Sequence, residues 1–207
     1  MARYLGPRLR IIRRFGDLPG LTAKFPTKKA PPGQHGPNQK KLQQSSFSDY
    51  KIRLFEKQKL RYNYGLTERQ LQRYVREARR KKGSTAFFLM QLLEMRLDTI
   101  VFRLGLASTI PAARQFVNHG HILINAKKIN IPSFQCQPND KISIKKKKGS
   151  KALVEKSLAN PRFSALPAHL TFNPKVLEAE VKDLVDRKDL SFKVNDLLIV
   201  EYYSRIG

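Results

Sequence analysis

The chain has 207 residues, of which 41 are Lys or Arg, 16 are Asp or Glu and 41% are apolar, for a formal charge of +25. That length makes one medium domain or two small ones with a core of modest size, and so large an excess of one sign repels itself unless a polyanion neutralises it. A single cysteine excludes an internal disulfide framework and a CxxC-based zinc site, and no apolar run approaches the ~20 residues of a membrane helix.

The charge is unevenly placed. Residues 1–50 carry +8, residues 51–83 carry +9, residues 84–150 carry +7 and residues 151–207 only +1. The arginines are dispersed within helical periodicity and do not form a block, which describes a folded, phosphate-tracking surface better than a disordered tail. Nucleic acid is the first reading; a membrane surface or a merely solvated basic face is the alternative.

In chain order, residues 1–48 read as an extended basic region. Six prolines and five glycines between Gly6 and Pro37 punctuate it, and so few apolar residues predict ordering only against a partner. The exception is Arg8 to Phe15, where Leu9, Ile11 and Ile12 support one or two helical turns presenting Arg10, Arg13 and Arg14 on the other side. Ser48 is placed to cap a helix from Asp49 to Tyr62 that ends near Gly65. Thr67 and Gln70 then fit a capping box. In the helix that follows, Leu71, Tyr74, Val75 and Ala78 form a buried stripe at i, i+3, i+4, i+7. Arg69, Arg73, Arg76 and Arg80 lie roughly opposite. A solvated face would carry acidic partners one turn away, and only Glu77 supplies one. Gly83 ends this helix, Ser84 or Thr85 caps the next, and Ala86 to Met95 reads as a core helix whose Phe and Met residues are packing.

Leu97, Ile100, Val101 and Leu104 mark another helix, closed by Gly105. After Ser108-Thr109 a short helix begins with Pro111 in its first turn; Ala113, Phe116 and Val117 are expected to face inward and Arg114 outward, with Gly120 at the end. The period then changes to two: His121 to Ile124 as a strand, Asn125-Ala126 as a tight turn, Lys127 to Ile131 as the return strand, and Lys141 to Ile144 as a third. Lys145 to Lys148 leave the sheet as a basic run. Beyond residue 150 the pattern weakens: Leu153, Leu158, Leu166 and Leu170 suggest short helices, Asn173-Pro174 a helix start, and Val194 to Tyr203 a strand or apolar segment returning to the body.

Arg96-Leu97-Asp98, Arg103-Leu104-Gly105, Ala113-Arg114-Gln115, Asn118-His119-Gly120-His121 and Ile124-Asn125 resemble the RNA-binding module named after small-subunit ribosomal protein four. Other motifs extend the resemblance to that whole family, in the family's order: Met1 to Pro7, Pro32-Gly33-Gln34-His35-Gly36, Glu56 to Arg61, Tyr64-Gly65 and Glu201 to Ser204. Leu18 to Thr22 and Gln91 to Leu97 look most like its chloroplast and cyanobacterial branch. Two departures stand out. Family members mostly carry Asn-Gly at the hairpin turn, and Ala126 here would cost about 1–2 kcal/mol in a type I′ turn. Many bacterial relatives carry cysteines between Phe15 and Pro32, sometimes binding zinc; this stretch has none, so the metal does not carry over.

The resemblance implies an α+β protein: an extended basic region over 1–48, a helical domain over 49–95, a helix-helix-β-hairpin module with a small antiparallel sheet over 96–158, and a C-terminal segment over 159–207. It implies a primary assembly protein that binds small-subunit ribosomal RNA at a multi-helix junction of the 5′ domain, touches neighbouring proteins including protein five, and contributes to translational accuracy. The expected RNA contacts are Arg3, Arg8, Arg10, Arg13 and Arg14, with Tyr4 stacking on a base or sugar. Lys51, Arg53, Lys59 and Arg61 follow on the first long helix, then the row Arg69, Arg73, Arg76 and Arg80, and in the module Arg96, Arg114, His119 and His121. By position, Lys40 and Lys41 match basic residues lining the channel through which messenger RNA enters. His119 and His121 lack the carboxylate or thiol company of a metal site, so no metal and no cofactor is expected.

Pseudouridine synthases and tyrosyl-tRNA synthetases carry the same module, but GxGxxG, GxxxxGK[ST] and HExxH are all missing here. A binding protein, not an enzyme, is expected; a free RNA chaperone or repressor of its own messenger is the alternative. The chain begins as mature family sequences do, with no Ser/Arg-rich leader. Its many Lys, Asn, Ile and Phe residues suggest an AT-rich genome, hence a plastid ribosome, with a cyanobacterium-like cytoplasm as the alternative.

Overall fold

A computed structural model describes residues 4–28, 30–34, 36, 48–159, 166–174, 176–186, 192 and 194–204. The chain divides into two compact units, Met1–Leu89 with Lys193–Gly207, and Met90–Phe192. No helix is long and apolar enough to cross a membrane among the described residues.

The first unit is helical. It contains α1 (Arg8–Phe15), α2 (Asp49–Asn63), α3 (Glu68–Arg80), the start of α4 (Thr85–Glu94) and, from the far end of the sequence, α8 (Asp196–Ser204). The caps act as their residue types require. Ser48 accepts from the Lys51 N–H, Thr67 and Gln70 close a reciprocal capping box, and Ser84 accepts from the Phe87 N–H. Gly65, at φ 60°, ends α2: its N–H reaches the Tyr62 carbonyl while the Leu66 N–H reaches that of Arg61.

The helix expected over Arg8 to Phe15 is present, but its buried residues are Ile11, Ile12 and Phe15, while Leu9 is exposed. The extension after α1 does not wait for a partner at every point. Leu18 and Leu21 are buried, the Gly20 N–H bonds the Asn63 side chain at 3.0 Å, and Arg13 donates to the carbonyls of Ala30 and Pro31. Two buried leucines and three hydrogen bonds, one of them to Asn63 of α2, hold this stretch against the unit.

The stretch from Val194 to Tyr203, expected as a strand or apolar segment returning to the body, does return to the first unit, but as the helix α8. Its Ile and Val favour strands, but Asp196, Ile199, Tyr202 and Tyr203 are buried at helical spacing, and tertiary packing overrides local preference. The helix is fastened to the unit by polar contacts. Arg53 pairs with Glu201 at 2.7 Å, the Asn195 N–H donates to Glu56 at 3.1 Å, and Tyr203 donates to Glu68 at 2.7 Å. Glu68 also receives the buried Lys57 ammonium at 3.0 Å, and that ammonium lies 4.6 Å from the Tyr202 ring centre. Burial, then the bond to Glu68, pushes the Tyr203 phenol well above its usual range and keeps it a donor.

The second unit holds the rest of α4, then α5 (Leu97–Arg103), α6 (Ile110–Asn118), β1 (Ile122–Ile124), β2 (Lys127–Lys128), β3 (Lys141–Ile144), α7 (Lys148–Leu158), β4 (Leu170–Asn173) and β5 (Glu178–Val181). The strands form one antiparallel sheet in the order β2-β1-β3-β5-β4. Ile122, Ile124, Ile142, Ile144, Leu170, Ala179 and Val181 supply buried side chains to its core. The sheet therefore reaches past residue 158, and β4 and β5 belong with the module. Asn173-Pro174 starts no helix; it ends β4, and the Leu177 N–H returns to the Asn173 carbonyl.

The return strand stops at Lys128, short of Ile131, for a reason found on α5. Its N-cap, Arg96, offers no side-chain acceptor, so the N–H groups of Leu97 and Asp98 bond the carbonyls of Phe134 and Pro132. The chain after β2 leaves the sheet to supply them.

Asp98 is fully buried at the start of α5 and collects two guanidiniums. Arg96 binds it bidentately, at 3.0 and 2.8 Å, and Arg114 reaches across from α6 at 2.7 Å; the Thr99 N–H adds a fourth donor at 3.0 Å. Arg114, expected to face outward, is thus 7% exposed, and Arg96 is 1% exposed. One carboxylate inside the unit outcompetes solvent for both.

At the β1–β2 turn, Asn125 and Ala126 have φ 48° and 65°, and Ile124 pairs directly with Lys127. The turn keeps the left-handed type I′ backbone without a glycine. Asn125 compensates through its side chain, which donates to Asp140 at 2.8 Å and accepts from the Lys141 N–H at 3.0 Å.

Asp98→Ala should destabilise the protein by about 3–5 kcal/mol, because it strands two buried guanidiniums; urea unfolding followed by circular dichroism measures it. Ala126→Gly should stabilise by about 0.5–1 kcal/mol, the release of left-handed strain less the extra freedom of the unfolded chain, in the same assay.

Candidate nucleic-acid interface

The arginines fall into two populations. Arg53, Arg96, Arg103 and Arg114 are paired with protein carboxylates, the Arg103–Glu94 pair being bidentate at 2.9 and 2.6 Å. Arg13 is committed to backbone carbonyls. These five hold the fold. Arg53 also sits 3.7 Å from Asp49, so its expected role on RNA competes with two acids. Lys59 lies 3.8 Å from Glu56, and the Arg61 guanidinium rests over the Tyr62 ring at 4.5 Å.

The second population is on α3. Leu71, Val75 and Ala78 are at most 2% exposed on one side, while Arg69, Arg73, Arg76 and Arg80 are all exposed on the other. None of the four has an ion-pair partner among the described residues. At ~1.5 Å per residue the row is about 16 Å long. Arg79, Lys81 and Lys82 extend the cationic surface at its end and are exposed as well; Arg79 and Arg80 lie in the last turn, where the helix dipole favours cations. Arginines fixed along a packed helix offer planar donor forks at set intervals, which suits phosphate oxygens and rewards correct geometry. Arg8, Arg10 and Arg14 on α1 are exposed, as is Lys51 at the start of α2. Arg3, Lys40 and Lys41 lie outside the described residues.

In the second unit the two histidines differ. His119 is exposed at the C-cap of α6. His121 is stacked on Phe116, with ring centres 4.8 Å apart, and its Nδ1 lies 2.8 Å from the Oγ of buried Ser150. Burial, then the positive fields of His119, Lys147 and Lys145, hold its pKa below the ordinary histidine value. It is a neutral, packed ring, and only its partial exposure leaves it an edge to offer. Burial likewise keeps the Cys136 thiol protonated. Among the described residues no group of three or more His, Cys, Asp or Glu side chains could hold a metal ion.

The lysines around this hairpin were not among the expected RNA contacts, although Lys145 to Lys148 stand out in the sequence as a basic run. Lys127 and Lys128 form the exposed edge strand, and Lys145, Lys146, Lys147, Lys148 and Lys151 are exposed where β3 passes into α7. The Lys128 side chain lies across Gly120, whose φ of 70° is what calls for glycine there. A doublet of lysines directly after a two-residue turn was the available signal, since it places cations at a hairpin tip.

Residues 3–94 match the family of the ribosomal protein S4/S9 N-terminal domain, and residues 95–142 match the S4 domain. The chain is 57% identical over 205 residues to small ribosomal subunit protein uS4 of Thermosynechococcus vestitus, covering 99% of each. It is 58% identical over 207 residues to uS4 of a Cyanothece strain, again covering 99% of each. With small ribosomal subunit protein uS4c of Cyanophora paradoxa it shares 58% identity over 206 residues, covering 99% of this chain and 100% of that one. Matched across both domains and along almost its whole length, the chain belongs to the ribosomal protein S4 family.

Proposed function

We propose that this protein is a structural constituent of the small ribosomal subunit that binds its RNA early and fixes a multi-helix junction of the 5′ domain. The observation that carries this reading is the exposed guanidinium row of α3, mounted on a buried apolar face and without carboxylate partners among the described residues. A junction crowds phosphates that repel one another. Cations at fixed positions offset that repulsion only when the RNA helices are correctly placed, so recognition is of shape and backbone, with sequence read at a few unpaired bases. The hairpin lysines and His119 supply a second cationic surface for the same RNA.

On this reading the protein nucleates assembly of the subunit body and contributes to translational accuracy. Residues 151–207, with a charge of only +1, suit contact with neighbouring proteins, protein five among them, and Lys40 and Lys41 suit the path of incoming messenger RNA. It performs no catalytic step. The relatives named above favour a plastid ribosome or that of a cyanobacterial cytoplasm, and the residue usage favours the plastid.

Arg73→Glu with Arg76→Glu should weaken binding to a 5′-domain transcript by about 100-fold or more, the loss of two charge-assisted contacts and their replacement by repulsion. The far-ultraviolet circular dichroism should not change, because both side chains are exposed. Filter binding measures the first effect; an affinity within threefold of the parent would remove the proposal's support. Across a salt series the double variant should also show a shallower slope of log K, by about one to two units. The parent protein should stay with small subunits sedimented in high salt, whereas a free chaperone held by screened charges should wash off.

A further inference from the structure

We infer that Tyr4 is a prebuilt stacking platform for one unpaired nucleobase, held in place by Gly6 and Tyr62. This rests on the RNA-binding reading above and assigns it a base-reading position.

A solitary exposed tyrosine carries no information. This one is constrained. Its ring lies directly over Gly6: a Cβ there would stand 2.5 Å from the Tyr4 hydroxyl oxygen and 2.6 Å from Cζ. Gly6 is not among the residues of positive φ, so what a side chain there would disturb is the seat of this ring, which would have to swing aside. The ring also meets Tyr62 edge-on, with centres 5.4 Å apart and planes at 78°. Tyr62 in turn packs against Phe15 at 5.6 Å and carries the Arg61 guanidinium at 4.5 Å, and Phe15 packs on Phe55 at 4.9 Å. Tyr4 is therefore the outermost ring of an aromatic series that begins in the core, and it remains 38% exposed.

Its surroundings specify the ligand. The exposed Arg8 and Arg10 follow within two turns, and α1 carries no acid. A cationic segment tracks a phosphate backbone, while an aromatic face fixed among those cations offers what a base needs and a phosphate does not. Because the ring is already positioned, little rotamer freedom is lost when a base stacks on it.

The test uses the full chain and a 5′-domain transcript. Short-wave ultraviolet crosslinking followed by peptide mapping should place a crosslinked nucleotide on Tyr4. Tyr4→Leu, which keeps apolar bulk but removes the π face, should weaken binding about ten- to hundredfold without lowering the melting temperature. Tyr4→Phe should bind within threefold of the parent. Gly6→Ala should cost as much as Tyr4→Leu, and the two together no more than either; Tyr62→Phe should preserve binding, whereas Tyr62→Leu should not. If Tyr4→Leu binds within twofold, or only the melting temperature falls, Tyr4 is a packing residue and the inference fails, while the reading of the α3 arginines is untouched. If the parent chain ignores the transcript, the RNA-binding reading itself falls.

Discussion

The buried carboxylate of Asp98 organises the second unit. It sits where α5 begins, draws Arg96 across that start and Arg114 from α6, and leaves one net positive charge inside. Two guanidiniums buried without it would carry an uncompensated desolvation penalty of several kcal/mol. With it, α5, α6 and the stretch supplying Pro132 and Phe134 are locked at the base of the hairpin. The lysines at the hairpin tip inherit their positions from that lock.

The first unit solves the same problem with Glu68. As the first residue of α3 it accepts from Lys57 of α2 and from Tyr203 of α8, so one carboxylate ties two consecutive helices to a third from the far end of the sequence. The arginine row begins at the next residue. In the first unit, then, an acid fixes the start of the helix that carries the arginine row, and in the second a buried acid holds two guanidiniums inside. With 16 acidic residues against 41 basic ones, the placement of carboxylates decides which arginines are structural and which face a polyanion.

Much of this was legible beforehand where a local rule sufficed. Caps at Ser48, Thr67 and Thr109, the capping box of α3, its apolar stripe and opposed arginines, and the hairpin at Asn125-Ala126 all follow from interactions within a few residues. What was illegible depended on distant partners. Arg114 looks like a surface residue of an amphipathic helix until Asp98, sixteen positions earlier, is brought to 2.7 Å. Leu18 and Leu21 look too sparse to order a Pro/Gly-rich segment until the fold buries both and Asn63, 43 positions after Gly20, takes the Gly20 N–H. The β-branched tract of α8 looks like a strand until burial at helical spacing decides otherwise.

The sequence by itself determined the charge asymmetry, the helices with capped ends, the hairpin and the family, because each is written in composition or in short-range order. Only the tertiary structure decided which guanidiniums remain available, that residues 170–181 complete the sheet, and that the last helix closes the first unit. The physical reason is that a charged side chain goes to whichever opposite charge or carbonyl the fold brings within about 3 Å, and periodicity along the chain does not encode that distance.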